Sequence, residues 1–397
     1  MNREAVAADR KAAVRAAARG WRKAGVIDDA ALAGIEQAYP DDRQRAGPVF
    51  RVLLFIFTLV AINGAFGFFA LMIGVSDNAE HTLAFLGLIF GLALAFATDF
   101  QMFGLKRRQG GTEAATSFSA VSGLFAFTAW FFLEMMDLKE REALTVTLFV
   151  AVPLLAVAAW RWGYPLYAAC AAASLLAGLA AMPYGRMLWI VAVLVAAPIL
   201  VRLSESWSLP PAHRDSFRAA LLVALGGFYL AVQIWSFEAG LIEEIGGRME
   251  RGMAVDNDVL FVLAGLATVL VPIGYLAYGI RMRRYSFLLM GLAVAVASAV
   301  TMRHYIHLGP LWVVLTVGGA LVAGAALLVR RYLDSGPDHE RGGFTAEPLF
   351  EDLQRRRVLE AGAAVVTFSP DARPTHEEPK FAGGGGEFGG GGSNSEF

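Results

Sequence analysis

The sequence predicts an all-α, polytopic membrane protein, with about ten transmembrane helices in an up-down bundle and both termini cytoplasmic. Three observations predict it. Between Val49 and Val329 the chain carries about ten apolar stretches of roughly 17–26 residues, and a helix needs about 20 to cross the hydrocarbon core. Apolar residues make up 56% of the chain and mean hydropathy is +0.52, too high for a soluble protein of this length. The basic residues alternate from loop to loop, as the positive-inside rule requires.

Residues 1–48 form a basic cytoplasmic head. Its first helix runs to about Lys23 and closes at Ala24-Gly25; Asp28 or Asp29 then caps a second helix, with Val26 and Ile27 stapled against Leu32. Val14, Trp21, Leu32, Ile35 and Tyr39 supply a shared apolar face. Nine basic residues precede Pro48, a charge that either sets topology or draws the head to anionic lipid, at about 1 kcal/mol per nearby charge. No base-reading helix accompanies it, so nucleic acid is not an expected partner.

The bundle, 49–329, divides into spans at 49–74, 82–100, 116–136, 143–160, 163–182, 185–201, 216–237, 258–280, 285–302 and 310–329. The first span is too long for a signal h-region and should stay as an anchor. With the N-terminus inside, inner loops hold Lys106, Arg107, Arg108, Arg161, Arg202, Arg214, Arg218, Arg281, Arg283 and Arg284. Outer loops hold fewer: Lys139, Arg141, Arg186, Arg248, Arg251 and Arg303. Gly87 and Gly91 form a small-xxx-small pair, and residues 168–178 are nearly all small, a composition that lets helix backbones approach closely. Trp130, Trp160, Trp162, Trp189, Trp235 and Trp312 fall near span ends and read as interface anchors. Arginine outnumbers lysine 29 to 5 beside abundant Ala and Gly, a bias that points to a high-GC bacterium and its inner membrane. The single cysteine, Cys170, excludes an intramolecular disulfide.

Segment 330–366 is read as cytoplasmic with a short helix over about Glu351–Ala364, and 367–397 as a flexible Gly/Phe-rich tail. Phe381, Phe388 and Phe397 stand on glycine runs that cannot pack into an element, leaving either an inert tether or aromatic stickers for a protein partner.

Polar residues inside the bundle are few, and intramembrane polar groups are the default functional candidates. Asn63 and Gln233 are read as interhelical hydrogen-bonding residues. On the outer face Glu134, Asp137, Glu238, Arg303, His304 and His307 make a weak polar cluster. His-x-x-His places two imidazoles within one turn, a spacing that suits a metal, yet no third ligand is assigned, so neither a metal nor another cofactor is expected. Glu243-Glu244, with Leu241, Ile245, Met249 and Met253, is read as an amphipathic helix lying on the outer interface.

The segment Trp21-Arg-Lys-Ala-Gly-Val-Ile-Asp-Asp-Ala-Ala-Leu32, with Tyr39 and the first span, resembles the N-terminal domain of an uncharacterised family of bacterial multi-pass "predicted membrane proteins". The stretches Arg303-His-Tyr-Ile-His-Leu-Gly-Pro-Leu-Trp312 and Arg341-Gly-Gly-Phe-Thr-Ala-Glu-Pro-Leu-Phe350, with the Gly/Phe tail, are similar to the C-terminal ends of related proteins. The resemblance covers the ends and the span pattern, and it implies no catalytic residue. Three functions follow as expectations. The first is a non-enzymatic membrane scaffold or regulator recruiting partners through its cytoplasmic ends. The second is a transporter or lipid-translocating protein, for which broken helices are not evident. The third is an interfacial enzyme using the outer His/carboxylate cluster.

Overall fold

The computed structural model describes residues 3–23, 25–40, 47–73, 79–105, 110–206, 208–245 and 258–306, with isolated positions between 316 and 345. The chain divides into two compact units, Met1–Arg330 and Arg331–Phe397. In the second, Glu340–Arg341 and Phe344–Thr345 pair antiparallel as two very short strands. The helix expected near 351–364 and the tail 367–397 lie outside the described residues.

The first unit is helical throughout its described length. The head comprises α1 (Arg3–Lys23) and α2 (Asp29–Ala38). Between them Gly25 takes a left-handed φ of 74°, and Val26 N–H reaches back to Trp21 O at 2.9 Å. Asp28 rather than Asp29 caps α2, accepting from Ala31 N at 2.7 Å. Asp29 pairs with Arg22 instead, and Arg19 reaches Glu36 at 2.7 Å. These guanidinium hydrogen bonds hold the Asp29 and Glu36 carboxyls below their ordinary range. Val14, Leu32 and Ile35 are half-buried as expected, whereas Trp21 and Tyr39 remain exposed at 48% and 40%. Helix α1 also packs against α9.

Eight helices among the described residues are long and apolar enough to cross a membrane. They are α3 (Pro48–Ile73), α4 (Ala79–Asp99), α5 (Thr112–Trp130), α6 (Glu140–Trp162), α8 (Gly185–Glu205), α9 (Pro211–Val232), α12 (Asp258–Met282) and α13 (Tyr285–Ile306). Helices α4 and α5 each run on into a π-turn, Phe100–Gly104 and Phe131–Met135. The ninth apolar element, α7 (Pro165–Ala180), is only about 24 Å long, short of the roughly 30 Å core. The expected tenth span, 310–329, falls largely outside the described residues.

Neighbours in sequence pack as pairs: α4 with α5, α6 with α7, α8 with α9, and α12 with α13. Helix α7 also packs on α9, and α3 on α5. The Gly87/Gly91 pair lies at a close approach of α4 and α5. A Cβ added to Gly123 of α5 would fall 2.7 Å from Gly87 O and 3.4 Å from Gly91 Cα. Three buried clusters organise the described bundle, one around Trp162, Tyr167, Leu155 and Ala120, another around Trp189, Leu176, Val193 and Ala231, and a third around Val201, Leu221, Leu225 and Phe287. Trp162 and Trp189, expected at the interface, are thus core residues, 7% and 4% exposed. Trp160 and Trp235 are exposed at the ends of their helices, and Trp312 lies outside the described residues.

Polar side chains register the helix ends. At one end of the bundle Asp99 of α4 accepts from Arg161 at 2.7 Å and from Trp162 Nε1 at 2.9 Å. Nearby on α5, Thr116 bonds Thr98 at 2.9 Å and Ser117 accepts from Tyr167 OH at 2.7 Å. Glu205 of α8 pairs with Arg284 of α13 at 2.9 Å. Toward opposite ends of the same helices, Arg141 donates to Ala181 O and Arg186 to Ala231 O, at 3.0 and 3.1 Å.

The span expected over 216–237 is not one helix. It stops at Val232, Gln233 is extended (φ −75°, ψ 148°), and two short helices follow, α10 (Ile234–Glu238) and α11 (Leu241–Ile245). A break at this depth frees backbone groups that lipid cannot satisfy, so it persists only where protein supplies partners. Here α8 and α12 do so. Arg186 donates to Ala231 O at 3.1 Å and to Ser236 O at 2.8 Å, with its guanidinium 3.9 Å above the Phe237 ring. Thr268 Oγ1 accepts the Ile234 N–H at 2.9 Å, while Ser298 Oγ donates to Thr268 O at 2.8 Å.

Candidate functional site

A concavity lies among α6, α7, α8 and α9, with a volume of about 320 Å³. Its walls are alanines at helical spacing: Ala156 and Ala159 on α6, Ala168, Ala171 and Ala172 on α7, Ala192 and Ala196 on α8, Ala220 and Ala224 on α9. Small side chains on four facing helices do two things at once. They let α7 and α9 approach closely, where Gly227 meets Leu176, and they leave an open cleft among the four helices. Pro153 of α6 and Pro198 of α8 each remove a backbone donor from helices that wall it. Along α7, from Ala168 to Leu176, the cleft is about 12 Å long.

Polarity is confined to one end. There His213, 4% exposed, stacks on Trp160 with ring centres 4.3 Å apart and planes 7° from parallel. Ser216 is also buried and returns its hydroxyl to Ala212 O at 2.9 Å. Trp160 itself is 54% exposed, which places it at the rim. The far end is apolar, lined by Leu176, Val193 and Ala224.

The cleft is about half open, so the chemistry of its walls, and not the cost of a sealed void, decides what fills it. Water is a poor filler, because each molecule wants 2–4 polar partners and the walls offer them only around His213 and Ser216. The chemistry of the walls suits an alkyl chain.

The outer polar residues anticipated from the sequence only partly meet. Glu238 accepts a hydrogen bond from Tyr305 OH, and the His304 ring stands edge-on to Tyr305 at 5.2 Å. Glu134 lies exposed in the π-turn after α5, and Asp137 follows it, exposed, at a left-handed φ of 49°. Arg303 is half-buried in the last turn of α13. His307 lies outside the described residues. Among the described residues no three His, Cys, Asp or Glu side chains gather closely enough to hold a metal ion.

Of the two intramembrane polar residues, Asn63 departs from the interhelical role expected of it. Asn63 is exposed on α3 and donates to Leu59 O of its own helix at 2.8 Å. Gln233 is buried, but at the helix break and not within a span. Of the expected amphipathic outer helix only Leu241–Ile245 falls among the described residues. Within α11 the buried side chain is Ile242, 1% exposed, whereas Ile245 is exposed; Met249 and Met253 lie outside the described residues. Glu113, fully buried and accepting Gly110 N–H at 2.6 Å, carried no signal beyond its place after Gly110-Gly111.

No protein-family model, no curated protein and no solved structure matches this chain.

Proposed function

We propose that this chain is a multi-pass protein of a bacterial inner membrane, with ten spans running up and down and both termini cytoplasmic, which binds the acyl chain of a lipid in the α6–α9 cleft. Of the three functions the sequence leaves open, this is the lipid-handling one. The observation that carries it is the apolar cleft itself: about 320 Å³ of alanine-walled space whose walls offer water few polar partners. Volume supports it too, since ligand pockets span about 300–1,000 Å³.

The up-down arrangement is supported by the polar pairs, which join the end of α4 to the end of α6 and the end of α8 to the start of α13. Arg161, Arg202, Arg214, Arg218 and Arg284 then share one side, the cytoplasmic one by the positive-inside rule. The polar rim at His213 and Trp160 lies on that side, within reach of inner-leaflet lipid. The head adds a second contact with lipid. Trp21, Val26 and Tyr39 are exposed beside the basic residues of α1, a combination that suits an anionic membrane surface.

Native mass spectrometry of protein extracted in mild detergent tests the proposal. Wild type should retain one lipid, and Ala220→Phe, which fills the cleft from α9, should lose it while keeping its fold. Equal retention by the two proteins would refute an acyl chain in this cleft.

A further inference from the structure

Helix α3 stands at the edge of the bundle. It rests on α5 and α4 through the side that carries Phe55, Phe66 and Phe69. Phe55 meets Phe118, and Phe66 and Phe69 meet Phe90, with ring centres 5.5–6.4 Å apart. No residue in its most apolar 18-residue stretch is buried, whereas the other seven spanning helices bury 17–44% of theirs. The outward side carries Val60, Asn63, Gly64, Gly67 and Leu71, at the i, i+3, i+4, i+7 and i+11 spacing of one helical stripe. Val60 and Leu71 are 64% and 78% exposed, and a Cβ placed on Gly64 or Gly67 would meet nothing within 4 Å.

Asn63 makes this side a poor match for lipid. It lies about 4 Å from the midpoint of α3, at 1.5 Å per residue, and so near the middle of the hydrocarbon core. A carboxamide offers two N–H donors and a carbonyl acceptor. One N–H goes to Leu59 O at 2.8 Å within α3, and among the described residues no other helix bonds to the group. Lipid tails can satisfy neither the second N–H nor Oδ1. Beside them Gly64 and Gly67 leave a notch about one turn tall, bare of side chains, where another backbone can come close. We infer that this side of α3 binds α3 of a second copy of the chain, the helices crossing at Gly64 and Gly67 with the two Asn63 carboxamides bonded to each other.

The chemistry selects a second copy over another partner. A carboxamide is its own complement, since the donor of one meets the acceptor of the other in both directions. Copies inserted with the same orientation hold Asn63 at the same depth, so a two-fold axis along the membrane normal brings the pair face to face. An unrelated helix would need a polar side chain of its own at that depth. Within the chain, glycines already serve this purpose: a Cβ on Gly123 would fall 2.7 Å from Gly87 O. The inference rests on α3 crossing the membrane in one orientation and not on the acyl-chain cleft, so the two readings fail separately.

Cysteine scanning of the full chain in native membranes tests it, in a Cys170→Ala background. Oxidation should cross-link Val60→Cys, Gly64→Cys and Gly67→Cys into a product of twice the chain mass. It should leave Phe55→Cys, Ile62→Cys and Phe66→Cys, on the bundle side, as single chains. Adding Asn63→Leu to Gly67→Cys should cut the cross-linking at least tenfold, and adding Asn63→Gln, which keeps the carboxamide, should cut it less. Subunit counting in dilute lipid vesicles should give two chains per particle for the parent and one for Gly67→Leu. That variant should melt no lower than the parent monomer, because its new side chain meets open space and leucine is the better helix former. Cross-linking no stronger on the outward side than on the bundle side, or products only of other masses, would overturn the second copy. So would Asn63→Leu protein that cross-links like its parent. The scan itself keeps Asn63, and so decides the matter even where Asn63 variants fail to fold.

Discussion

Replacing Gly123 by alanine should weaken the α4–α5 contact, and replacing Gly87 should not, although both glycines belong to the same close approach. An added Cβ at Gly123 would stand 2.7 Å from Gly87 O, a backbone atom that cannot rotate away. An added Cβ at Gly87 would meet Gly123 O at 3.7 Å, ordinary van der Waals contact. Gly91 is intermediate, with Ala120 O at 3.2 Å and Leu124 Cγ at 3.1 Å. All three substitutions gain the same helix propensity, about 0.8–1 kcal/mol, so that contribution cancels in comparison. What remains is overpacking, about 1–3 kcal/mol against Gly123→Ala and near zero against Gly87→Ala. Reversible unfolding in mixed micelles, titrated with a denaturing detergent, would read the difference. The expected stability order is Gly87→Ala above Gly91→Ala above Gly123→Ala. A Gly123→Ala protein as stable as Gly87→Ala would refute the close approach on which the α4–α5 packing is argued.

In a Cys170→Ala background, single cysteines at Arg108 and Arg214 should be labelled from the cytoplasm, and at Asn78 and Gly247 from outside; cytoplasmic labelling of Asn78 would overturn the orientation. The head should loosen in acid. Its Asp29 and Glu36 carboxyls are held below their ordinary values of 3.8 and 4.5, so their contribution is present above those values and is lost as pH falls through the lower folded ones. A fluorinated Trp21 should therefore broaden or shift in its ¹⁹F spectrum below about pH 4, and not between pH 6 and 8. A Trp21 signal flat from pH 7 to pH 3 would remove the Arg22–Asp29 and Arg19–Glu36 pairs as organisers of the head.

What could be read from the sequence depended on whether the signal was local. Helix spans follow from runs of apolar residues, so α3, α4, α5, α6, α8, α12 and α13 appear within a few residues of their expected places. The Gly87/Gly91 pair was legible because both residues fall on one helical face at four-residue spacing. The break at Gln233 was not, because no glycine or proline marks it. It is sustained by Arg186 and Thr268, which are distant in sequence and meet the break only in the folded bundle. The cleft was hidden for a different reason. Alanines at 168, 171 and 172 permit either close packing or empty space, and which one results depends on the separation of four helices that no single stretch of sequence encodes. Its alanine stripes on all four helices were the available clue. Trp162 and Trp189 misled in the opposite sense. Position near a span end suggested the headgroup zone, but Asp99 and the Leu176 carbonyl give their indole N–H groups partners inside the protein.

The occupancy of the α6–α9 cleft is most directly measured by an experimental density map of the full chain in a lipid nanodisc. Elongated density should run from the rim at Trp160 and His213 along Ala168, Ala171 and Ala220 to Val193, about 12 Å, as a single alkyl chain would. It should be missing in Ala220→Phe. A cleft that is collapsed, or that holds discrete water peaks along its alanine walls, would contradict the account.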